Sequence, residues 1–314
     1  MSKRILIAGG SGFIGSHLST ALLAQGNYIL CLDNLKTGQR RNIKTLVSDK
    51  FQFIRGDICS KHLMIKLKQQ PIDEIYHLAS PASVTYVTEH PIETALVNSQ
   101  GTYHLLELAR EKNARILFTS SSEAYGDPQE HPQKESYWGN VNPVGVRSGY
   151  DEGKRFSEAL SMAYYREFGL RVSIVRIFNT YGPNASLDDT RVIPRFINQA
   201  LRNEPLTVHG DGRQTRSFCY VSDMVSGLIK AMDQTDPGPL NLGNPDEYKI
   251  LDVAKKIISL TNSKSKIVFT TRLANDPYVR RPDISQARKK LGWTPTVSFE
   301  RGLMNTIQYF RGLL

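Results

Sequence analysis

The chain has 314 residues, 40% of them hydrophobic and 22% charged, which fits one or two globular domains with a large buried core. Its apolar runs are strand-length, far below the roughly 20 residues that a membrane-spanning helix needs, so we do not expect a membrane protein. The formal net charge is +10, but the basic residues are scattered and do not alternate with aromatic residues, which disfavours nucleic acid and favours a small polyanionic partner.

The cysteines suggest a reducing environment. Cys31, Cys59 and Cys219 are odd in number and widely spaced, and they form no metal-ligand pattern. We expect all three to be inert. The first residues lead directly into a strand and leave no room for a signal peptide, so the expected location is the cytoplasm.

A glycine-rich turn follows the first predicted strand, an apolar run over residues 3–8. Its glycines have the spacing G-x-x-G-x-x-G, and a helical pattern continues after them through Leu23. A strand before such a turn and a helix after it are the context that a dinucleotide-binding motif requires, because the helix N-terminus then faces the pyrophosphate. The expected cofactor contacts in this segment are Gly9, Gly12, Phe13, Ile14 and Gly15.

The second predicted strand, residues 28–32, ends at Asp33 and Asn34. An acidic residue at this point can accept hydrogen bonds from a ribose 2′-hydroxyl and would repel a 2′-phosphate, so NAD is favoured over NADP. An ordinary turn carboxylate is the alternative interpretation of Asp33. Three basic residues follow closely and weaken the preference: Lys36, Arg40 and Arg41.

Further strands alternate with helical patterns. Residues 51–54 predict a third strand that leads to Asp57 and Ile58, which we expect near the adenine. Residues 74–81 predict a fourth strand, whose end carries Leu78 and Ala79 beneath the cofactor. A helical pattern over residues 95–112 then precedes a fifth strand over residues 114–118. This rhythm predicts an α/β fold, a doubly wound parallel (Rossmann) sheet that binds its ligand at the carboxyl ends of the strands.

Hydroxyl groups and a carboxylate follow the fifth strand, from Thr119 to Glu123, where this architecture places its chemistry. A hydroxyl-rich turn that caps the sheet is the alternative. Tyr150 and Lys154 are four residues apart, so a helix would place both on one face. An ammonium near a phenol lowers the pKa of the phenol and produces a base for a sugar hydroxyl. Taken alone, the pair also fits two solvated side chains on an exposed helix.

Together these features resemble the extended short-chain dehydrogenase/reductase superfamily. Residues 176–183, 214–223 and 241–245 resemble its substrate-binding segments. Within the superfamily the chain is most similar, over nearly its whole length, to UDP-glucuronate decarboxylases, which produce UDP-xylose. One segment departs from that pattern, because Val84-Thr85-Tyr86-Val87 stands where those decarboxylases usually have a Pro-Pro-His-Tyr-like sequence. The departure leaves the identity of the sugar open.

The resemblance implies a mechanism with a tightly bound NAD that is not consumed. Ser121 would bond the 4-hydroxyl of the sugar, Tyr150 would be the base, and Lys154 would hold the nicotinamide ribose and lower the pKa of the tyrosine. After oxidation at C4, the C6 carboxylate is that of a β-keto acid and can leave as carbon dioxide. Glu123 would favour this loss, and Arg280 would bind the carboxylate or relay a proton to C5. Ser122 stands where related dehydratases have an acid, which disfavours dehydration.

The resemblance also assigns substrate contacts, domains and an oligomer. Arg191 and Arg216 would hold the UDP pyrophosphate, because guanidinium groups match phosphate oxygens. The remaining expected substrate contacts are Ser83, Asn179 and Tyr220. Residues 1–180 would form the NAD-binding domain and residues 181–314 mainly a smaller domain for the sugar nucleotide, with segments that interleave with the first. A homodimer would form through two helices near residues 101–112 and 153–168.

Two alternatives remain open from the sequence. A UDP-uronate 4-epimerase would share the same steps as far as the 4-ketone, and the segment 84–87 keeps this possibility open. A non-catalytic protein that senses a dinucleotide or binds RNA is more remote, because it would not need Ser121, Tyr150 and Lys154. We interpret Trp138 and Trp293 as packing residues.

Overall fold

The computed structural model describes residues 2–272 and 278–314, which fold into thirteen strands and eleven α-helices. The strands are β1 Arg4–Ala8, β2 Tyr28–Asp33, β3 Phe51–Arg55, β4 Glu74–His77, β5 Arg115–Ser121, β6 Val172–Ile177, β7 Thr180–Tyr181, β8 Leu206–His209, β9 Thr215–Ser217, β10 Cys219–Tyr220, β11 Leu240–Leu242, β12 Glu247–Lys249 and β13 Ile267–Thr270. The helices are α1 Phe13–Ala24, α2 Lys61–Leu67, α3 Val84–Glu89, α4 Pro91–Leu96, α5 Thr102–Lys112, α6 Ser148–Phe168, α7 Val192–Leu201, α8 Val221–Met232, α9 Ile250–Thr261, α10 Ser285–Leu291 and α11 Phe299–Arg311.

Seven strands form one parallel sheet in the order β11-β6-β5-β4-β1-β2-β3. The strand order reverses beside β1, because β2 and β3 lie on one side of it and β4 and β5 on the other. This arrangement confirms the predicted doubly wound fold. The helix α1, which follows β1, packs on one face of the sheet through Leu18, and α5, which lies between β4 and β5, packs on the other through Leu105. The chain therefore leaves β1 and β4 on opposite sides, which leaves room for a ligand at their carboxyl ends.

The sheet is buried on both faces. Successive residues of β1 point to opposite sides: Leu6 packs in one apolar cluster, and Ile5 and Ile7 pack in the other. Strands that are covered on both faces need continuous apolar runs, which explains why residues 3–8 show no alternation of polar and apolar side chains.

A third apolar cluster lies under α7, α9 and α11, at the carboxyl-terminal side of the chain. Two elements from this part of the chain return to the large sheet: β11 pairs with β6, and α8 packs against α1. The later segments therefore interleave with the earlier ones. The division at residue 180 stays a prediction.

Three local expectations need correction. The helical segment begins at Pro91, four residues earlier than predicted, because proline occupies the first turn of α4. One π-helical turn, Val97–Gly101, joins α4 to α5. Strand β4 ends at His77 rather than at the predicted residue 81, and β5 extends to Ser121, beyond the predicted end at residue 118.

The interpretation of Trp138 as a packing residue is wrong. The residue is 86% exposed and lies in a loop. Its backbone carbonyl accepts a hydrogen bond from Arg155 Nη1 at 2.6 Å, but its ring is not part of the core. Trp293 is buried as expected, and its indole N–H donates to the carbonyl oxygen of Asp223 at 3.0 Å.

Candidate functional site

The turn between β1 and α1 is shaped by contacts that only glycine allows. Gly9 has φ +81°, and a Cβ there would lie 2.8 Å from the backbone of Ala79. A Cβ on Gly15 would lie 2.1 Å from the carbonyl oxygen of Gly9, so the helix packs directly on the turn. The first turn of α1 has no side-chain cap and no acidic residue, which leaves its N–H groups available to an anion.

Asp33 is buried at the end of β2, and the backbone around it fixes its carboxylate. Oδ2 accepts a hydrogen bond from the N–H of Ser11 at 3.1 Å, and Oδ1 accepts one from the N–H of Leu35 at 2.8 Å. Gly38 passes so close that a Cβ there would lie 2.6 Å from both carboxylate oxygens. Little room therefore remains beside the Asp33 carboxylate. Its negative charge would also repel a 2′-phosphate on the ribose.

Two of the basic residues that follow Asp33 are engaged elsewhere. Lys36 Nζ lies 2.7 Å from Glu93 Oε1, and the guanidinium of Arg40 lies 4.4 Å from the ring centre of Phe53. Their charges are therefore partly satisfied by the protein, which strengthens the expectation of NAD rather than NADP.

Asp57 is held at the end of the cleft. It accepts hydrogen bonds from Asn34 Nδ2 at 3.0 Å and from the N–H of Cys59 at 2.9 Å. Burial would raise the pKa of this carboxyl, but the bonds from Cys59 and Asn34 hold the pKa below its usual value. Asp57 is therefore a fixed, ionised acceptor.

A cleft of about 560 Å³ opens at the carboxyl ends of the strands, where the fold predicts it. Every residue expected to contact the cofactor lines it: Gly9, Gly12, Phe13, Ile14, Gly15, Asp33, Asn34, Asp57, Ile58, Leu78, Ala79, Tyr150 and Lys154. The glycine cradle, the uncapped helix and the fixed carboxylate of Asp33 all fit a dinucleotide.

Tyr150 and Lys154 lie one turn apart on α6 and both are buried. Burial raises the pKa of Tyr150 to about 12, although a hydrogen bond to Ser121 and the nearby guanidinium of Arg147 oppose this increase. Burial also lowers the pKa of Lys154 to about 7, and its Nζ donates to the carbonyl oxygen of Thr119 at 2.9 Å.

The guanidinium of Arg147 favours the Tyr150 phenolate, while Lys154 Nζ donates to the carbonyl oxygen of Thr119. The expected effect of Lys154 on the pKa of the tyrosine stays a prediction. Sequence reasoning missed Arg147. Helical spacing gives no signal for it, because Arg147 is the N-cap residue of α6 and has non-helical backbone angles.

Glu123 lies in the 3-10 turn Ser122–Tyr125 and is held between two guanidinium groups. Arg280 binds it through both nitrogens: Nη1 donates to Oε1, and Nη2 donates to Oε2 at 3.0 Å. Arg147 Nη2 lies 3.2 Å from Oε2. Burial would raise the pKa of Glu123, but Arg280 and Arg147 lower it to about 2. The carboxylate is therefore ionised at neutral pH.

The structure brings only some of the other expected residues to the cleft wall. Ser83 and Arg191 line the cleft, and Arg191 pairs with Asp189 at 2.6 Å. Within the described residues, the wall does not include Ser121, Glu123, Asn179, Arg216, Tyr220 or Arg280. Ser121 nevertheless lies beside Tyr150, and Arg280 reaches Glu123. The roles of all these residues stay predictions.

The segment that departs from the decarboxylase pattern forms α3 at the edge of the cleft. Thr85 Oγ1 lies 3.3 Å from Thr190 Oγ1, next to Arg191 in the sequence, and the Tyr86 hydroxyl donates to Glu93 Oε1 at 3.1 Å. The segment is therefore anchored on both sides. Among the described residues, the cleft wall includes Ser83 directly before this segment but none of residues 84–87.

The cysteines are free thiols, and burial raises the pKa of each. For Cys31 and Cys59 the pKa is raised to about 12. Thiols with such values are almost fully protonated at neutral pH and are poor nucleophiles. In the described part of the chain, no group of three His, Cys, Asp or Glu side chains is placed to hold a metal ion. Over the same residues, no helix has both the length and the apolar character that crossing a membrane requires.

Comparisons with known proteins agree with this geometry. The family model described as GDP-mannose 4,6 dehydratase matches residues 6–306. UDP-glucuronic acid decarboxylase 3 of Arabidopsis thaliana is 49% identical over 312 residues, which cover 99% of this chain and 90% of that protein. UDP-glucuronic acid decarboxylase 1 of Danio rerio is 48% identical over 309 residues, or 98% of this chain and 72% of that protein.

One solved structure combines a similar fold with both expected ligands. UDP-glucuronic acid 4-epimerase from Bacillus cereus, in complex with UDP-glucuronic acid and NAD, superposes with a TM-score of 0.87 and 31% identity. The match covers 99% of this chain and 100% of that one. Both expected ligands thus occur together in a protein of this fold.

Proposed function

The chain belongs to the GDP-mannose 4,6-dehydratase family, and we propose that it is an NAD-dependent carboxy-lyase that converts UDP-glucuronate into UDP-xylose and carbon dioxide. The observation that carries the proposal is the ion pair between the buried Arg280 and the half-buried Glu123, whose carboxylate interacts electrostatically with Tyr150. A guanidinium group at this point offers the cation that a sugar carboxylate needs, and an ionised Glu123 opposes that carboxylate. The similarity to UDP-glucuronic acid decarboxylases supports the same substrate.

NAD would lie in the cleft between the glycine turn and Tyr150, with its adenine ribose on Asp33. When bound, it supplies reversible oxidation at C4 of the sugar. The protein's own residues manage the protons. Tyr150 accepts the proton of the 4-hydroxyl, and Ser121 orients that hydroxyl through its position beside the phenol. Lys154 holds the nicotinamide ribose.

Glu123 and Arg280 then act on the carboxylate. A carboxylate β to a ketone is lost readily, because the electron pair of the breaking bond enters an enolate. The substrate carboxylate competes with Glu123 for Arg280, and the nearby negative charge of Glu123 destabilises it before it leaves. The hydroxyl of Ser122 is a poor acid, so it does not protonate a hydroxyl group of the sugar, and no hydroxide is expelled. A proton from solvent is finally delivered to C5. The reversible chemistry that NAD would supply then restores the 4-hydroxyl, and Tyr150 returns its proton to that oxygen.

The experiment is an incubation with UDP-glucuronate and NAD in heavy water, followed by mass spectrometry and NMR. We expect UDP-xylose that carries one deuterium at C5, because that carbon is protonated after the carboxylate departs. No NAD should be consumed per turnover. A parallel incubation with UDP-galacturonate tests the sugar that the α3 segment admits.

A UDP-uronate 4-epimerase is the second candidate, favoured by the similarity to the Bacillus cereus enzyme and by the changed segment in α3. It would keep the carboxylate and would need no deuterium at C5. A product that retains all six sugar carbons would therefore overturn decarboxylation. If neither uronate is converted, the argument from the carboxylate is wrong.

We also propose a homodimer through α5 and α6. Large apolar side chains are exposed along these helices and the neighbouring α4: Ile92, Leu96, Tyr103, Phe156, Tyr165 and Phe168. Exposed apolar surface of this kind marks a protein contact more often than chance. The cytoplasmic location that the cysteines suggest also stays a prediction.

A further inference from the structure

Arg147 is a half-buried cation at the N-terminus of α6, and the reaction as proposed above gives it no role. Its carbonyl oxygen accepts hydrogen bonds from the N–H groups of Tyr150 at 2.9 Å and Asp151 at 3.0 Å. Arg147 is the N-cap residue of α6, and its guanidinium group interacts electrostatically with the phenol of Tyr150 in the first turn of the helix. That guanidinium lies 3.2 Å from Glu123 Oε2 and 3.7 Å from Asp151 Oδ1.

The other groups that face Tyr150 come from four segments. Ser121 ends β5, Glu123 lies in the turn after it, Asp151 and Lys154 share α6, and Arg191 precedes α7. Lys154 Nζ lies 5.8 Å from the ring centre and donates to the carbonyl oxygen of Thr119. The negative charge of Glu123 disfavours the phenolate, whereas Arg147 favours it. Asp151 also disfavours it once ionised, because burial raises the pKa of this carboxyl to about 7.

Arg147 also gives Glu123 a second cation. If Arg280 turns toward a substrate carboxylate, Glu123 would otherwise remain as a buried charge without a partner, which is costly. With Arg147 in place, Glu123 can stay ionised while Arg280 binds the substrate.

We propose that Arg147 is a positioning residue for the proposed reaction, since its guanidinium group fixes the Glu123 carboxylate and places a positive charge beside the Tyr150 phenol. The inference rests on the proposed function. It extends that function by assigning one cation, Arg147, to the base Tyr150 and another, Arg280, to the carboxylate of the substrate.

The test is the pH dependence of kcat/KM for UDP-glucuronate with the NAD-loaded protein. In the wild type the acidic limb reports the deprotonation of Tyr150. Arg147→Gln should move this limb upward by about one pH unit, because an adjacent opposite charge shifts a pKa by about that much. Its activity at neutral pH should then fall about tenfold and recover in alkali. Arg147→Lys should keep the limb near that of the wild type.

Two further variants test the direction in which the acidic limb moves and whether the effect depends on the position of the charge. Asp151→Asn removes a negative charge beside the phenol, so the limb should move downward. Arg166→Gln removes the same charge from an exposed position near the end of α6 and should leave the profile unchanged. A uniform loss in Arg147→Gln with an unmoved limb would reduce Arg147 to a structural residue. If that variant does not fold, an Asp151→Asn limb that stays in place would also overturn the proposal.

A second measurement separates this inference from the proposed function. NMR titration of protein labelled with carbon-13 at tyrosine Cζ, with the Tyr150 signal assigned through Tyr150→Phe, follows the phenol without any substrate. The signal should titrate at higher pH in Arg147→Gln and at lower pH in Asp151→Asn. If the wild type does not convert UDP-glucuronate, the proposed function fails, and the direction of these two shifts still decides the role of Arg147.

Discussion

At the scale of single residues, Glu123 shows how a buried carboxylate stays charged. Arg280 and Arg147 lower its pKa to about 2, against the effect of burial. The pKa is depressed in the folded state, so the stability this group contributes is present above its usual value of about 4.5 and is lost as the pH falls toward 2. Glu123 therefore carries a negative charge throughout the neutral pH range, and this charge would repel a substrate carboxylate.

Tyr150→Phe tests the proposed base. The substitution removes the ionisable oxygen with little change in volume, so folding and NAD binding should persist while kcat falls by roughly 10²–10⁴-fold. Steady-state kinetics and calorimetric titration of NAD provide the two readouts. Tyr309→Phe on α11, away from the site and from the proposed dimer face, is the matched control and should retain full activity. Substantial turnover by Tyr150→Phe would mean that another group is the base.

Asp33→Ala tests the cofactor preference. Calorimetric titrations should show tighter binding of NAD than of NADP to the wild type, because the Asp33 carboxylate accepts the ribose hydroxyls and repels a phosphate. The variant should lose about 1–3 kcal/mol of NAD binding and narrow the difference between the two cofactors. Asp49→Ala, which removes an exposed carboxylate, should change neither affinity. Equal affinities in the wild type would contradict the prediction.

At the scale of elements, the sequence predicted best where local chemistry decides the structure. The apolar run of β1, the turn at Gly9 and the start of α1 were predictable, since each depends on neighbouring residues. The start of α4 at Pro91 and the π-helical turn before α5 were missed. The buried Asn98 in that π-helical turn packs 3.0 Å from the position of a Cβ on Gly153 in α6, so tertiary packing accompanies the irregularity.

Gly15→Ala tests the close contact between α1 and the turn. The added Cβ would lie 2.1 Å from the carbonyl oxygen of Gly9, so the helix must shift away from the strand. Overpacking of this kind costs about 1–3 kcal/mol of folding free energy, and the displaced helix N-terminus should also bind NAD more weakly. Urea unfolding and NAD titration measure the two effects. Gly312→Ala, whose Cβ would meet its nearest atom at 3.4 Å, is the control and should be neutral.

At the scale of the whole molecule, the limits of prediction follow from distance along the chain. The doubly wound fold was predictable and is confirmed, and all residues expected at the cofactor line one cleft. The contact of Arg147 with Glu123 was not predictable, because it depends on how the start of α6 packs against the end of β5. The exposure of Trp138 was missed for a similar reason, since an aromatic residue in a loop gives no periodic signal.

Phe156→Glu tests the proposed dimer. Phe156 is exposed on α6, on the same helix as Tyr150, and a carboxylate there would be buried without a partner if two copies meet at this face. Size-exclusion chromatography with light scattering should therefore show a dimer for the wild type and a monomer for the variant. Met304→Glu makes the same change on the exposed face of α11 and should remain a dimer.

Association also stabilises the folded state by mass action, so the melting temperature of the wild type should rise with protein concentration and that of Phe156→Glu should not. A wild type that is monomeric, or a variant that still dimerises with the same affinity, would place the contact elsewhere and leave the exposed apolar side chains of α4, α5 and α6 to another partner.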